Sequence, residues 1–242
     1  CCPLNHFPLH SEVGRRMAKK DTITLCGIGS LLDQKSAVRT FPNLQNYRLG
    51  IIEGYTRAFN LVAVSCIYNG FASLESKQVA SVSACKIEDI PESLRKPVQD
   101  NNRSGDKLYV VLFEIPMDHW DYFLKREHRY EYEFVAYNNY DVGKNASNET
   151  TTCCGGDCCC SCCKEKLDGY ALVCCQSTDD SYRATKCGND EQIYHQLVGQ
   201  YYDGKIWYHS SSATESSQPE ILPVSKYITC CPTVPLFNSD AA

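Results

Sequence analysis

The spacing of apolar and polar positions along the chain predicts a series of strands. "TITLCG", 22–27, reads as a first strand closed by a turn at "GIGS". "NYRLGIIEGYTRAFNLVAV", 46–64, is rich in β-branched and aromatic residues, and Gly50 and Gly54 interrupt it as a bulge or bend would. "QVASVSACKI", 78–87, alternates small and apolar residues, as a strand does. "KLYVVLFEI", 107–115, is almost continuously apolar and fits a central strand. Residues 88–106, polar and broken by two prolines and a glycine, read as a loop or short helix. "YALVCCQ", 170–176, is the returning strand of a hairpin whose connection is a long insertion, 143–169. "NDEQIYHQLVGQYYDGKIW", 189–207, opens on a capping residue, Asn189 or Asp190, and sets Ile193, Leu197 and Tyr201 on one helix face. Strands with a few helices predict an α+β fold around a mixed or antiparallel sheet, closed or strongly curled.

One segment changes its period. Pro116 and Asp118 suit the first turn of a helix. Trp120, Phe123 and Leu124 then fall at i, i+3 and i+4, and Glu127 at i+7 shares their face. Beyond it the pattern alternates, with Tyr130, Tyr132, Phe134 and Ala136 on one side and Glu131, Glu133, Val135 and Tyr137 on the other. A carboxyl on a core-facing stripe is costly unless it is paired, protonated or used. Against Trp and Tyr rings its pKa should rise, which suits it to moving protons near neutral pH. The competing reading has Glu127 turning outward at the helix end, bonded to Arg129 or a strand amide.

Composition narrows the classes. The 242 residues carry a net charge of −5, with 43% hydrophobic and 22% charged positions. Such a chain buries a real core, and its acidic balance disfavours nucleic-acid and anionic-membrane partners. No apolar run approaches the ~20 residues that cross a bilayer. Residues 1–20 carry four basic side chains against Glu12 and are expected to lie outside the fold as a flexible segment. The domain is expected over 21–207, with a low-complexity Cys-rich insert at about 143–167 and a linker and tail over 208–242. Seven of the 17 cysteines crowd into "CCGGDCCCSCC", 153–163. Adjacent cysteines are poor disulfide partners, so the pattern implies a reducing compartment, the cytoplasm, with a plastid as the alternative given the basic N-terminal segment. Thiols at that density could bind Zn²⁺ or Cu(I), but no His at zinc-finger spacing accompanies them; a bland insert is expected, with no metal site.

"CGIGSLL", 26–32, places Gly27 and Gly29 just after the first strand, where glycine lets successive amides converge on an anion. The third glycine of a dinucleotide fingerprint and the spacing of a nucleophile elbow are both absent.

Together these segments resemble the gamma-glutamylcyclotransferase-like superfamily. "IGSLL", 28–32, stands at its Tyr-Gly-Ser-hydrophobic/Asn loop, and "GYTRAF", 54–59, matches its Gly-Tyr-x-Arg-x-Phe strand in full. "LYVVLFEI" and then "REHRY" stand for its apolar strand and its Arg-Glu pair followed by Tyr, all in order over roughly 21–137. The resemblance implies a curled mixed β-barrel with flanking helices and a pocket at one end. It implies a small γ-glutamyl substrate, an amino acid, peptide or amine adduct, and release of 5-oxoproline without metal or organic cofactor. On this mapping Glu127 shuttles the proton, Gly29, Ser30 and Leu31 form a backbone cradle preceded by Ile28, Tyr130 or Tyr132 lines the pocket, and Arg57 is structural, with substrate contact as the alternative. Ile28 replaces the family's Tyr, and His128 and Arg129 stand where the family often has Gly. Two alternatives stay open: a non-catalytic small-ligand binder on the same fold, and a metal-binding protein built on the cysteine run.

Overall fold

A computed structural model describes residues 21–90, 107–140, 167–208 and 221–225. The cysteine run 153–163, the N-terminal segment and the loop 91–106 lie outside the described residues. Among the described residues there are eight strands: β1 (Thr22–Gly27), β2 (Gln45–Glu53), β3 (Tyr55–Val62), β4 (Gln78–Lys86), β5 (Lys107–Pro116), β6 (Glu131–Asn139), β7 (Gly169–Cys175) and β8 (Leu222–Pro223). Neighbours in the sheet run β1-β5-β2-β6-β7, and β7 pairs back to β1, closing a five-stranded barrel. The closing β1–β7 pair is parallel, whereas β1–β5, β2–β5, β2–β6 and β6–β7 are antiparallel. From β7 the sheet continues outward through β4 to β3, and β8 adds to the edge of β4. The mixed barrel with flanking helices expected from the sequence is the observed architecture.

β5 shows why a continuous apolar run is needed. Leu108, Val110 and Leu112 point into the barrel with Ile52, Val135, Ala171 and Val173. Val111, Phe113 and Ile115 point the other way, onto a second core with Phe41, Trp120 and Phe123. A strand buried on both faces has no polar face to show. α1 (Gln34–Thr40) and α3 (Trp120–Arg126) cover that outer face. A third core lies beyond β3 and β4, where Leu61, Val62 and Val79 meet Tyr182, Tyr194 and Val198. Those residues come from α4 (Asp179–Cys187), from α5 (Glu191–Tyr194) and from a π-helical turn, His195–Gly199, that continues α5. A short helix α2 (Val64–Tyr68) follows β3.

Three expectations need correction. Gly50 does not interrupt its strand: it is paired with Val110 and Asn139 in the middle of β2. A Cβ there would stand 2.4 Å from Leu112 Cδ1 on the neighbouring strand β5, so the glycine makes room for that side chain, while Gly54, at φ +77°, makes the turn into β3. Ile193 and Leu197 do share a face, but it is the solvent face, with Ile193 41% exposed. Tyr194 and Val198 are the buried pair. Residues 208–242 are not all tail, because β8 pairs with β4 and the fully buried Val224 packs with Ala63 and Cys66. No helix among the described residues is long and apolar enough to cross a membrane.

Candidate active site

Glu127 sits where the sequence changes period. It is the C-terminal cap of α3, its amide donating to Phe123 O at 2.9 Å. Trp120 and Phe123 drive the helix into the outer core. The backbone beyond the cap is fixed twice, by Tyr130 N–H donating to Glu127 O at 3.0 Å and by Tyr132 O–H donating to the same carbonyl at 2.8 Å. The Glu127 side chain is only 14% exposed, and Arg126 Nε lies 3.2 Å from its Oε1. Burial pushes its carboxyl above the usual range, against the opposing pull of Arg126 and Arg129. The outward-turned reading of Glu127 is therefore not what the structure shows, although an arginine neighbour is present.

The turn after β1 is built differently from the sequence expectation. Ser30–Leu32 form one 3₁₀ turn with Leu32 N–H donating to Gly29 O at 2.9 Å. Gly29 heads it and offers no side-chain cap to the first-turn amides of Ser30 and Leu31. A Cβ on Gly29 would meet Val82 Cγ1 at 2.7 Å, so close packing on β4 is what requires glycine. Tyr47 O–H donates to Leu31 O and Leu32 O at 3.1 and 2.7 Å, and Arg57 Nε donates to Ile28 O at 3.0 Å. Arg57 thus holds the loop, as the structural role assigned to it requires. Ile28 turns its side chain into the barrel core.

Topology carries these two pieces to one end of the barrel. β1 and β7 pair in parallel through Cys26↔Val173, so one residue further on Gly27 stands beside Cys174. Cys174 in turn pairs with Tyr132. Two strand spacings, on the order of 10 Å, therefore separate the start of the glycine turn from the start of β6, which Glu127 precedes by one turn. Val82 bridges the same gap: its side chain abuts Gly29 and its carbonyl accepts from Tyr130 O–H at 3.0 Å. Leu31, Tyr130, Tyr132 and Cys174 all join the outer core. Cys174 lies close enough to Glu127 for the carboxylate charge, added to burial, to push its thiol well up, so it stays protonated and inert.

α4 braces this end from outside. Ser181 Oγ and Ser177 Oγ donate to Glu131 Oε1 at 2.9 and 3.1 Å, and Tyr182 Oη lies 3.2 Å from His128 Nδ1. Lys186 Nζ stands 5.0 Å over the Tyr132 ring. Burial, helped by the charges of Arg129 and Lys186, drives His128 down to about 3, so its ring is neutral at physiological pH. Tyr55 O–H donates to Glu133 Oε2 at 2.5 Å and Lys86 Nζ lies 2.8 Å from Glu133 Oε1. The sequence reading named neither this group nor α4. The strand alternation already sets Glu133 on the Val135 side of β6, but gives it no role.

The site therefore brings a nearly buried carboxyl, uncapped turn amides and tyrosine-fixed backbone to one barrel end. Such a set can take and return a proton while gripping an anionic group. No protein-family model matches the chain, and no curated protein matches it. Among solved structures it is similar to a yeast gamma-glutamyl cyclotransferase specific to glutathione, with 13% identity, 73% of this chain and 88% of that one covered, and a TM-score of 0.41. It is similar to a second gamma-glutamyl cyclotransferase at 8% identity, covering 81% and 99%, with a TM-score of 0.37. An uncharacterized human protein aligns at 8% identity over 84% of this chain and 94% of its own, with a TM-score of 0.36. These likenesses concern the fold, and the chemistry rests on the residues themselves.

Proposed function

We propose that the protein is a γ-glutamyl cyclotransferase-type enzyme releasing 5-oxoproline from a γ-glutamyl compound. The observation that carries this is Glu127, a carboxyl buried at the barrel end that also holds the uncapped Gly29–Leu31 turn. The substrate's α-amine attacks its own γ-carbonyl carbon. A new C–N bond closes the five-membered ring as the bond to the departing amine breaks. Glu127 takes the proton from the attacking nitrogen and gives it to the leaving nitrogen, so no net proton is consumed. The amides of Ser30 and Leu31 grip the glutamyl end, and Tyr132 keeps Glu127 aimed through its carbonyl. The nucleophile is intramolecular, so positioning supplies much of the acceleration, with effective molarities of ~10⁵ M or more. One tuned base adds roughly 10²–10⁴.

Incubation with a panel of γ-glutamyl amino acids, peptides and amines, followed by a 5-oxoproline assay, tests the reading. Glu127→Gln should lower turnover by roughly 10²–10⁴ while leaving the fold intact. Undiminished turnover in that variant would remove Glu127 from the chemistry. A second reading, a ligand-binding protein without turnover, is favoured by one observation: Ile28 fills the barrel core where the family's tyrosine would bring a hydroxyl. Binding across the whole panel with no 5-oxoproline released would select it.

A further inference from the structure

Among the described residues, three buried side-chain nitrogens have no hydrogen-bond partner: Arg126 Nη1, Arg129 Nε and Trp207 Nε1. They are not scattered. Arg126 and Arg129 flank Glu127, and the Trp207 ring packs edge-to-face on Tyr130 with centroids 5.9 Å apart. Native proteins leave few buried donors unmet, because each costs about 1–3 kcal/mol. Arg126 is partly satisfied, by Glu127 through Nε and by the Phe41 ring at 5.9 Å. Arg129 makes no hydrogen bond or ion pair among the described residues, yet its charge is felt at Glu127, His128 and Tyr182. Folding alone does not call for a guanidinium there, since an apolar side chain of similar volume would avoid the desolvation cost.

We infer that Arg129, with Arg126 beside it, receives a carboxylate carried by the departing amine, so that the preferred substrates are γ-glutamyl amino acids rather than γ-glutamyl amines or longer peptides. This rests on the cyclotransferase reading. The leaving nitrogen must come within hydrogen-bond reach of Glu127 to collect its proton. In a γ-glutamyl amino acid the carboxylate carbon is then only about 2.5 Å from that nitrogen, which brings it among the groups that flank Glu127. A guanidinium pairs with a carboxylate through parallel, charge-assisted N–H bonds. In a longer peptide the same position holds a neutral amide, and in an amine adduct it holds nothing polar.

The test compares γ-glutamyl-L-alanine with γ-glutamyl-ethylamide, which differ only by that carboxylate. The full-length protein should favour the alanine compound at least tenfold in kcat/KM. Arg129→Met should bring the ratio to within about threefold of one without lowering the melting midpoint, and Arg129→Lys should give an intermediate ratio. The lysine variant decides the matter if the methionine variant does not fold. A merely structural arginine would lower both rates together and leave their ratio alone. A ratio near one in the unaltered protein, or one that survives Arg129→Met, overturns the inference while the cyclotransferase reading stands. If neither compound yields 5-oxoproline, that reading fails, and calorimetric titration with the same two compounds decides the carboxylate site alone. Tenfold tighter binding of the alanine compound, lost in Arg129→Met, supports it; equal binding or none overturns it.

Discussion

At Glu127 two forces of opposite sign meet. Burial favours the neutral acid, Arg126 and Arg129 favour the anion, and burial prevails. The consequence for stability can be signed. In the unfolded chain the carboxyl gives up its proton near its ordinary value of 4.5, whereas in the folded protein it keeps the proton to higher pH. Between those two values the folded state binds more protons, so stability falls as pH rises through the window. Below 4.5 both states are protonated and the penalty vanishes. Glu127→Gln removes this dependence. The variant should therefore match or exceed the unaltered protein in stability near pH 7, with the difference shrinking toward pH 4. The slope is at most about 1.4 kcal/mol per pH unit inside the window. His128 adds an opposite trend, because its neutral folded form is lost to an unfolded chain that protonates below about 6.5. It is present in both proteins, so their difference cancels it. Denaturant melts of both at pH 4, 5.5 and 7 measure the effect, and a variant that loses stability relative to the parent as pH rises would contradict it.

Among the elements, α4 governs how firmly the site is backed. Thr178 caps it, with Ser181 N–H donating to Thr178 Oγ1 at 3.0 Å, and Gly188 ends it at φ +62°. Its first residue, Asp179, accepts the amides of Ile206 and Trp207 at 2.8 and 3.0 Å, which ties the chain after the π-helical turn to the helix that holds His128 and Glu131. Asp179→Ala would strand two amides on fully buried residues, at about 1–3 kcal/mol each. Thermal melting should show a drop of roughly 5–15 °C, and a shift under 1 °C would mean the tie carries no weight. This helix also shows the limit of the sequence reading. Its caps, early acids and late Lys186 are all visible in "TDDSYRATKCG", but only Tyr182 and Cys187 are buried, so no apolar period announces it. The strands and the Trp120 helix were legible because each carries a face that must be hidden. The direction of the Ile193–Leu197 face was not, because a π-helical turn rotates the buried side onto Tyr194 and Val198. Glu127 was legible as an acid on an apolar stripe; the unsatisfied arginines beside it were not, since whether a guanidinium finds a partner is decided only by tertiary packing.

For the whole molecule, the barrel depends on strands that meet at short seams. β1 and β7 share two residue pairs, as do β2 and β6, whereas β6 and β7 are paired along their length from Glu131↔Cys175 to Tyr137↔Gly169. At the open end of that hairpin, Asp168 N–H donates to Tyr137 O at 3.1 Å and Asn139 N–H donates to Asp168 Oδ2 at 2.7 Å. The two strand ends therefore lie side by side just before residues 141–166 begin, at a separation that a short hairpin turn spans. Among the described residues, nothing in the barrel, in the Glu127 end or in α4 requires a long connection there. Replacing 141–166 with a four-residue Asn-Gly-containing turn should leave the fold and any 5-oxoproline release unchanged. It should also stabilise the protein, by up to about 1.7 kcal/mol if the connection behaves as a flexible loop whose closure entropy shrinks with its length. The same replacement deletes the cysteine run and so separates turnover from metal binding. Retained turnover with altered metal content would make metal binding an added property of the connection. Loss of turnover in a folded, shortened protein would place part of the site in the connection and overturn the assignment of the chemistry to the barrel end alone.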